Sequence, residues 1–277
     1  MLIAVVNLSE GRDGGRLAAL AASAAGALLD VHHDIEHHRS VFTLGGPTVA
    51  PAARELASTA VQLLDINGHA GAHPRIGVVD VVPWVSMSGH PLVDGPEAPA
   101  VAARADFARW AATTLEVPTF LYGFGERSLP QVRRQAWDGL CPDCGPDRPH
   151  PTAGAIAVGA RPALVAYNLW LAEPDIERAR AIARSIRNDS LRCLGLAVGS
   201  AVQVSCNLTD PWRVGPGAVF DAVANQAAVS RAELVGLIPA AILSAEPSHR
   251  WAELDLDPSK TIEARLEQAG LDGGSLM

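Results

Sequence analysis

The sequence predicts an α/β fold, with a β-sheet layered against helices in each of two halves, and three observations carry it. Short runs rich in β-branched residues alternate with alanine- and leucine-rich segments of helical length. The alternation restarts near residue 163, after a proline-rich stretch. The length of 277 residues suits about two domains, each able to bury its own core.

Composition narrows the function class. The chain is 48% hydrophobic and 19% charged, an ordinary globular balance that argues against disorder. Lysine and arginine number 22 and aspartate and glutamate 30, a net charge of −8. Such a surface repels nucleic-acid phosphates overall, although a local basic pocket for a small anion stays compatible with it. No apolar run approaches the roughly 20 residues needed to span a bilayer, so no membrane association is expected. The N-terminal Met1-Leu2-Ile3-Ala4-Val5-Val6-Asn7 lacks a basic start and a cleavage site, and it reads as a first strand. Four cysteines without a secretion signal predict free thiols and a cytoplasmic location.

Residues 2–6 form that strand, and Gly11, Gly14 and Gly15 turn the chain into a helix over residues 16–29. No G-x-G-x-x-G occurs, so a dinucleotide site is not expected here. Residues 28–31 read as a second strand running into His32-His33-Asp34-Ile35-Glu36-His37-His38-Arg39. Four histidines and two carboxylates invite a metal reading, but the spacing is not H-E-x-x-H. Neighbouring strand side chains point to opposite faces, so only one of each pair could reach a common ion. A polar strand end lining a pocket is the preferred reading. Arg39 is the residue suited to an anionic ligand, since its planar fork matches a carboxylate.

Residues 41–44 read as a third strand. Gly45-Gly46-Pro47 leads to a helix over 48–64, with Thr48 placed to cap it and Pro51 tolerable in the first turn. Then comes His69-Ala70-Gly71-Ala72-His73-Pro74-Arg75, which feeds the β-branched run 76–82. A loop pinned by Gly71, Pro74 and Gly77 can hold a side chain in fixed geometry. Imidazoles titrate near neutral pH, so His69 and His73 are candidate acid/bases. The bland alternative is a turn with solvent-exposed histidines. A loop over 86–99, a helix over 100–115 and a strand over 118–122 follow.

Residues 129–154 change character, with five prolines and Cys141-Pro142-Asp143-Cys144. A lone C-x-x-C is half of a zinc site or a redox pair. No second C-x-x-C follows, and Cys193 and Cys206 read as isolated on strands. Two thiols in a proline-rich loop is preferred, and long loops of this kind are often binding loops. The second half reads as a strand over 163–169, a helix from Pro174 to 187, and a hairpin of 191–198 with 201–208 around Gly199-Ser200. A helix over 219–229, a strand over 232–238, helices near 240–245 and 258–269, and a frayed tail from 270 complete it. Asn7-Leu8 and Asn168-Leu169 each end the first strand of a half, a slight hint of internal duplication.

Several stretches resemble the glutamate formimidoyltransferase (formiminotransferase) domain family. They are Val6-Asn7-Leu8-Ser9-Glu10-Gly11, Leu28-Leu29-Asp30-Val31, Arg39-Ser40-Val41-Phe42-Thr43, Gly46-Pro47 and His69-x-Gly71-x-His73-Pro74-Arg75-Ile76-Gly77-x-x-Asp80-Val81-x-Pro83. Val117-Pro118-x-x-Leu121-Tyr122-Gly123, Gly145-Pro146, Gly159-Ala160-Arg161, Asn168, Val204-Ser205-x-Asn207-Leu208 and Glu233-Leu234-Val235-Gly236-Leu237-Ile238-Pro239 continue the match in order.

The resemblance implies two subdomains, 1–160 and 161–277, whose sheets face a central ligand tunnel. It implies transfer of a formimino group from N-formimino-L-glutamate to tetrahydrofolate, a co-substrate, with no metal. It makes His73 the acid/base. It places substrate or folate near Arg39, Arg75, His32 and His38. It also puts folate at the loop Gly145, Pro146, Asp147, Arg148, Pro149, His150, Pro151, Thr152, Ala153 and Gly154. A homodimer is a further implication.

The departures fall around that histidine. His32 and Ala72 stand where the family has acidic residues, and His38 where it has asparagine. Losing two carboxylates lowers the pKa of a neighbouring histidine, because an opposite charge favours the imidazolium. The 145–154 loop is rich in proline and charge where the family has small and aromatic residues. Three readings stay open on these grounds: the family reaction, a paralogue acting on another small substrate, and a non-catalytic ligand-binding protein.

Overall fold

The computed structural model describes residues 1–71, 74–87 and 97–271. Among these, the residues up to 161 together with 269–271 form one compact unit, and residues 162–268 form another.

The first unit runs β1 (Leu2–Leu8), α1 (Gly14–Ser23), β2 (Leu28–Asp34), β3 (Arg39–Gly45), α2 (Val49–Leu63), β4 (Val79–Ser86), α3 (Glu97–Thr114), β5 (Thr119–Gly123), α4 (Leu129–Gln135) and β6 (Ile156–Ala160). Its six strands are ordered β2-β3-β1-β4-β6-β5, antiparallel on the β2 side and parallel where β6 joins β4 and β5. Val6, Phe42, Val82 and Val158 project from one face into a core with Leu20 of α1, Leu56 of α2 and Phe107 of α3. The opposite face packs Val81, Phe120, Tyr122 and Ala157 against Val132 of α4 over the β5 side. Toward β2 that face is polar. His32 pairs with Val41 and Val41 with Asn7, so these side chains share the face that carries Arg39.

One irregularity shapes this face. Asn7 pairs with Val81 but Leu8 pairs with Val79, which leaves Asp80 as an extra residue on β4. This is a β-bulge, and it turns a carboxylate out of an otherwise apolar strand.

The second unit runs β7 (Val165–Leu171), α5 (Ile176–Ile186), β8 (Leu191–Val198), β9 (Ala201–Leu208), α6 (Pro216–Ala224), β10 (Val229–Val235), α7 (Ala240–Ala245) and α8 (Ile262–Gln268). Its sheet is antiparallel, ordered β10-β7-β9-β8. Tyr167, Leu169, Val204 and Leu234 pack with Ile182 of α5, Val219 of α6 and Ile242 of α7. Gly195 lies where a Cβ would meet the Arg180 backbone nitrogen of α5 at 2.4 Å, so only glycine lets helix and strand approach this closely.

The mixed α/β architecture with two sheets is as expected, and the 191–198/201–208 hairpin and the 240–245 helix fall where the sequence places them. Several expectations are corrected. Helix α1 stops at Ser23, not 29, because residues 24–27 turn into β2. Thr48 does not cap α2 with its side chain; its hydroxyl donates to the Gly26 carbonyl at 2.7 Å. Strand β4 starts at Val79 rather than 76, since the Ile76 N–H goes to Asp80. The 129–154 stretch is not one loop: Ser128 and Gln131 form a capping box that starts α4. Strand β6 is one the periodicity did not reveal, being buried on both faces. Val229 belongs to β10, so α6 ends at Ala224. The expected helix 258–269 is a short 3₁₀ turn, Pro258–Lys260, followed by α8. Cys193 and Cys206 are not isolated; they are cross-strand partners with sulfurs 3.1 Å apart in the core. Part of the 86–99 loop and most of the tail from 270 lie outside the described residues.

Candidate active site

The first unit gathers its polar residues around the bulge. Asp80 is fully buried. Its Oδ2 accepts from Arg39 Nη1 at 2.6 Å and from Arg133 Nη2 at 2.7 Å, and its Oδ1 accepts from the Ile76 N–H at 2.9 Å. Burial pushes the carboxyl pKa up, but the charges of Arg39 and Arg133 outweigh it and hold it below the usual value. Arg39 also donates through Nε and Nη2 to Asn7 Oδ1, at 3.3 and 2.8 Å. This is a charge-assisted network joining β1, β3, β4 and α4.

The H-x-G-x-H-P-R loop is tied down on both sides of His73 in sequence. Arg133 Nη1 donates to the Pro74 carbonyl. Arg75 donates from Nη1 to His38 O at 3.2 Å and from Nη2 to His37 O at 3.1 Å. Arg75 Nη1 also lies 2.6 Å from His69 Nε2. That ring nitrogen also lies 3.0 Å from His38 O, so it stands between a donor and an acceptor. Burial, then the Arg75 charge, push the His69 pKa down to about 4. Its ring stacks on His38 with centroids 4.1 Å apart. His38 adopts φ 47 and its Nδ1 accepts from the Gly11 N–H at 3.1 Å. Burial lowers the His38 pKa more than Glu10 raises it, so both rings are neutral near pH 7. Glu10 is itself buried, its Oε1 accepting from the N–H groups of Gly11, Arg12 and Asp13.

Gly71 closes this corner: a Cβ there would meet His37 O at 2.4 Å and Arg75 Nη2 at 2.6 Å. Tyr122 flanks the network, its ring over Gly159, where a Cβ would lie 2.1 Å from Cζ. Its hydroxyl is bonded to Arg161, and burial pushes its pKa up to about 12.

The sequence-predicted residues divide as follows. Arg39, Arg75 and His38 come together here, and His32 shares the face two strands over from Asn7. His73 and Ala72 lie outside the described residues. In the 145–154 loop, Gly145 adopts φ 93, and Asp147, Arg148 and Pro149 are exposed. His150 exchanges two backbone hydrogen bonds with Gly154 and caps the Thr152 and Ala153 N–H groups with Nδ1. Pro151 and Thr152 carbonyls accept from Asn67 and Ile66, so those positions support the chain leading to the histidine loop. Ala153 and Gly154 are buried against the Ile76–Val78 backbone.

His33 and the C-x-x-C stand apart from the Asp80 network, whereas His37 joins the site through its carbonyl. His33 Nδ1 contacts Gly11 O at 3.2 Å, and the His37 N–H donates to Asp34 at 2.6 Å. Among the described residues no three histidine, cysteine or acidic side chains are grouped to hold a metal ion. The C-x-x-C covers the free edge of β5. Thr119 N–H donates to Cys144 O, and Asp143 accepts from the Leu121 N–H at 2.7 Å and from Arg127 at 2.6 Å.

Residue-type reasoning assigned no role to Asp80, Glu10, Tyr122, Arg133 or Arg161. A lone aspartate in a β-branched run was a legible signal for Asp80, since buried charge needs a partner. Arg133 carried none, because α4 itself was not evident. In the second unit, Glu233 Oε2 accepts from Trp170 Nε1 at 2.8 Å and Asn168 Nδ2 at 3.2 Å, with the Arg231 guanidinium 4.3 Å from the Trp170 ring centre. These side chains share the sheet face away from the helices.

Fold and site thus define an α/β protein with arginines gathered about one buried carboxylate at the base of a histidine loop. The formiminotransferase domain, N-terminal subdomain, matches residues 1–161. Glutamate formimidoyltransferase of Streptococcus pyogenes serotype M1 is 31% identical, the alignment covering 93% of this chain and 95% of that protein. Its counterpart from Thermoplasma acidophilum is 28% identical over 96% of this chain and 97% of its own length. Formimidoyltransferase-cyclodeaminase of Sus scrofa is 31% identical over 85% of this chain, which spans 49% of that longer protein. The chain belongs to the formiminotransferase family, and its class is that of a transferase. No helix among the described residues is long and apolar enough to cross a membrane.

Proposed function

We propose that this chain moves the formimino group of N-formimino-L-glutamate to tetrahydrofolate, with His73 carrying the proton. The observation that supports it most is the network at Asp80, where Arg39 and Arg75 concentrate positive charge beside the histidine loop. Both substrates are carboxylates, and planar guanidinium groups attract and orient them. Two named glutamate formimidoyltransferases aligned over nearly their whole length add to it.

In this reading folate N5 attacks the formimino carbon and a tetrahedral adduct forms. The adduct collapses by breaking the bond to the glutamate nitrogen, which leaves as an amine. His73 takes the proton from N5 and returns it to the departing nitrogen, work suited to a group titrating near neutrality. His69 is neutral and bound to Arg75, which suits a support for the loop. Arg39, Arg75, His32 and His38 face the substrates, and residues 145–154 border the folate. The active species is a cytoplasmic homodimer.

The test is a thermal-shift titration with 5-formyltetrahydrofolate on wild type and His73→Ala, followed by an assay of formiminoglutamate-dependent transfer. A rise in Tm with concentration in both, and transfer in the wild type alone, is the expected result. No shift at millimolar ligand overturns the folate reading. A shift without transfer favours a different donor, the outcome the altered positions His32, His38 and Ala72 would produce.

A further inference from the structure

We infer that Arg133 is a positioning residue for the reaction, acting through the backbone beside His73; this rests on the reading of His73 as the proton carrier. Arg133 sits on α4, which packs by Val132 against the sheet face away from α1, α2 and α3. Its guanidinium is largely buried, with the side chain 16% exposed. One fork nitrogen donates to Asp80 Oδ2 and the other to the Pro74 carbonyl. Asp80 in turn holds the Ile76 N–H and the Arg39 fork. The two residues nearest His73 whose backbones are fixed in this way, Pro74 and Ile76, are therefore fastened to one buried carboxylate. Pro74 is joined to that carboxylate through Arg133.

The chemistry favours arginine at this place. A proline has no N–H, and its carbonyl can be fixed only by a donor. The donor must also neutralise Asp80, so a rigid fork with two donors in fixed directions fits both tasks. A lysine ammonium is a point charge on a flexible stem and holds one partner at a time with defined geometry. Arg133 touches no reacting group in this scheme. It sets where the chain leaves His73, and proton transfer is sensitive to displacements of about 1 Å, which can lower rate by about 10²-fold.

The experiment compares Arg133→Lys, Arg133→Ala and His73→Ala in the full chain, with kcat, KM, the pH profile of kcat, and Tm. Arg133→Lys keeps the charge beside Asp80 and is the decisive variant. The expected result is a fall in kcat of ten- to a hundredfold in Arg133→Lys with KM within about threefold and Tm near wild type. Arg133→Ala should fall further, and added guanidinium ion should restore part of its kcat. Wild-type kcat in Arg133→Lys overturns the inference, as does a loss confined to KM. If His73→Ala retains activity, the reading of His73 fails first and this inference fails with it. If His73→Ala is inactive and Arg133→Lys is unimpaired, only the inference fails.

Discussion

The carboxylate of Asp80 meets the guanidinium of Arg39 at 2.6 Å, with Asp80 wholly removed from solvent. They belong to strands that are not neighbours, since β1 lies between β3 and β4. The bond reaches across the central strand because the bulge turns Asp80 onto the face of Asn7, whose Oδ1 accepts from Nε and Nη2 of the same guanidinium.

Asp80→Asn should therefore be strongly destabilising. It leaves Arg39 and Arg133 without their shared counter-charge, and breaking a buried pair on one side costs about 3–5 kcal/mol. Urea unfolding followed by circular dichroism should show a matching fall in midpoint. A change below about 1 kcal/mol would contradict the network's role.

Acid should destabilise the protein in two successive windows. His69 is held neutral in the fold with its pKa pushed down to about 4. The unfolded chain binds that proton near pH 6.5, so stability present above 6.5 is lost as pH falls toward 4. Asp80 has its pKa held below the usual carboxylate value, so its contribution is present above about pH 4 and is lost below it. Melting curves from pH 7 to 3 should show both losses. His69→Gln should shrink the upper window, to which His38 with its lowered pKa also contributes, and leave the lower one.

Gly77→Ala should separate the histidine loop from the 150–154 turn. A Cβ there would lie 2.2 Å from Ala155 O and 2.6 Å from Ala153 O, both backbone atoms that cannot yield like a side chain. The cost is about 1–3 kcal/mol or more, by overpacking. Amide hydrogen exchange should rise at Val78 and Ala155, whose N–H groups join the two segments. Unchanged protection there would refute the coupling.

Asp143→Ala should release the C-x-x-C segment from β5. The carboxylate accepts the Leu121 N–H and both Arg127 fork nitrogens. Arg127 has its own pKa raised through that contact. These contacts are open to solvent, so their loss costs about 1 kcal/mol or less. Reaction of Cys144 with a thiol reagent should quicken more than that of Cys141, which is already exposed.

Legibility followed locality. The 191–208 hairpin was readable because its apolar alternation and Gly199-Ser200 turn are both written within 18 contiguous residues. The 240–245 helix was readable from its composition. Strand β6 and helix α4 were not, since a strand buried on both faces lacks alternation and a seven-residue helix carries little period. The candidacy of His73 came from the residue types of one loop, and that of Arg75 from the family resemblance. Arg133 had no such signal, lying 59 residues from the Pro74 carbonyl it meets.

The sequence by itself determined the α/β class, the restart of the pattern in a second half, the residue types of the histidine loop and the kinship those motifs carry. Only the tertiary structure decided that Asp80 leaves its strand's alternation, that Arg39 and Arg133 share it, and that Cys193 faces Cys206. The physical reason is that propensity and periodicity act over a few residues, whereas strand register and bulges are settled by which distant surfaces pack together. A buried charge finds its partner only after that packing is made.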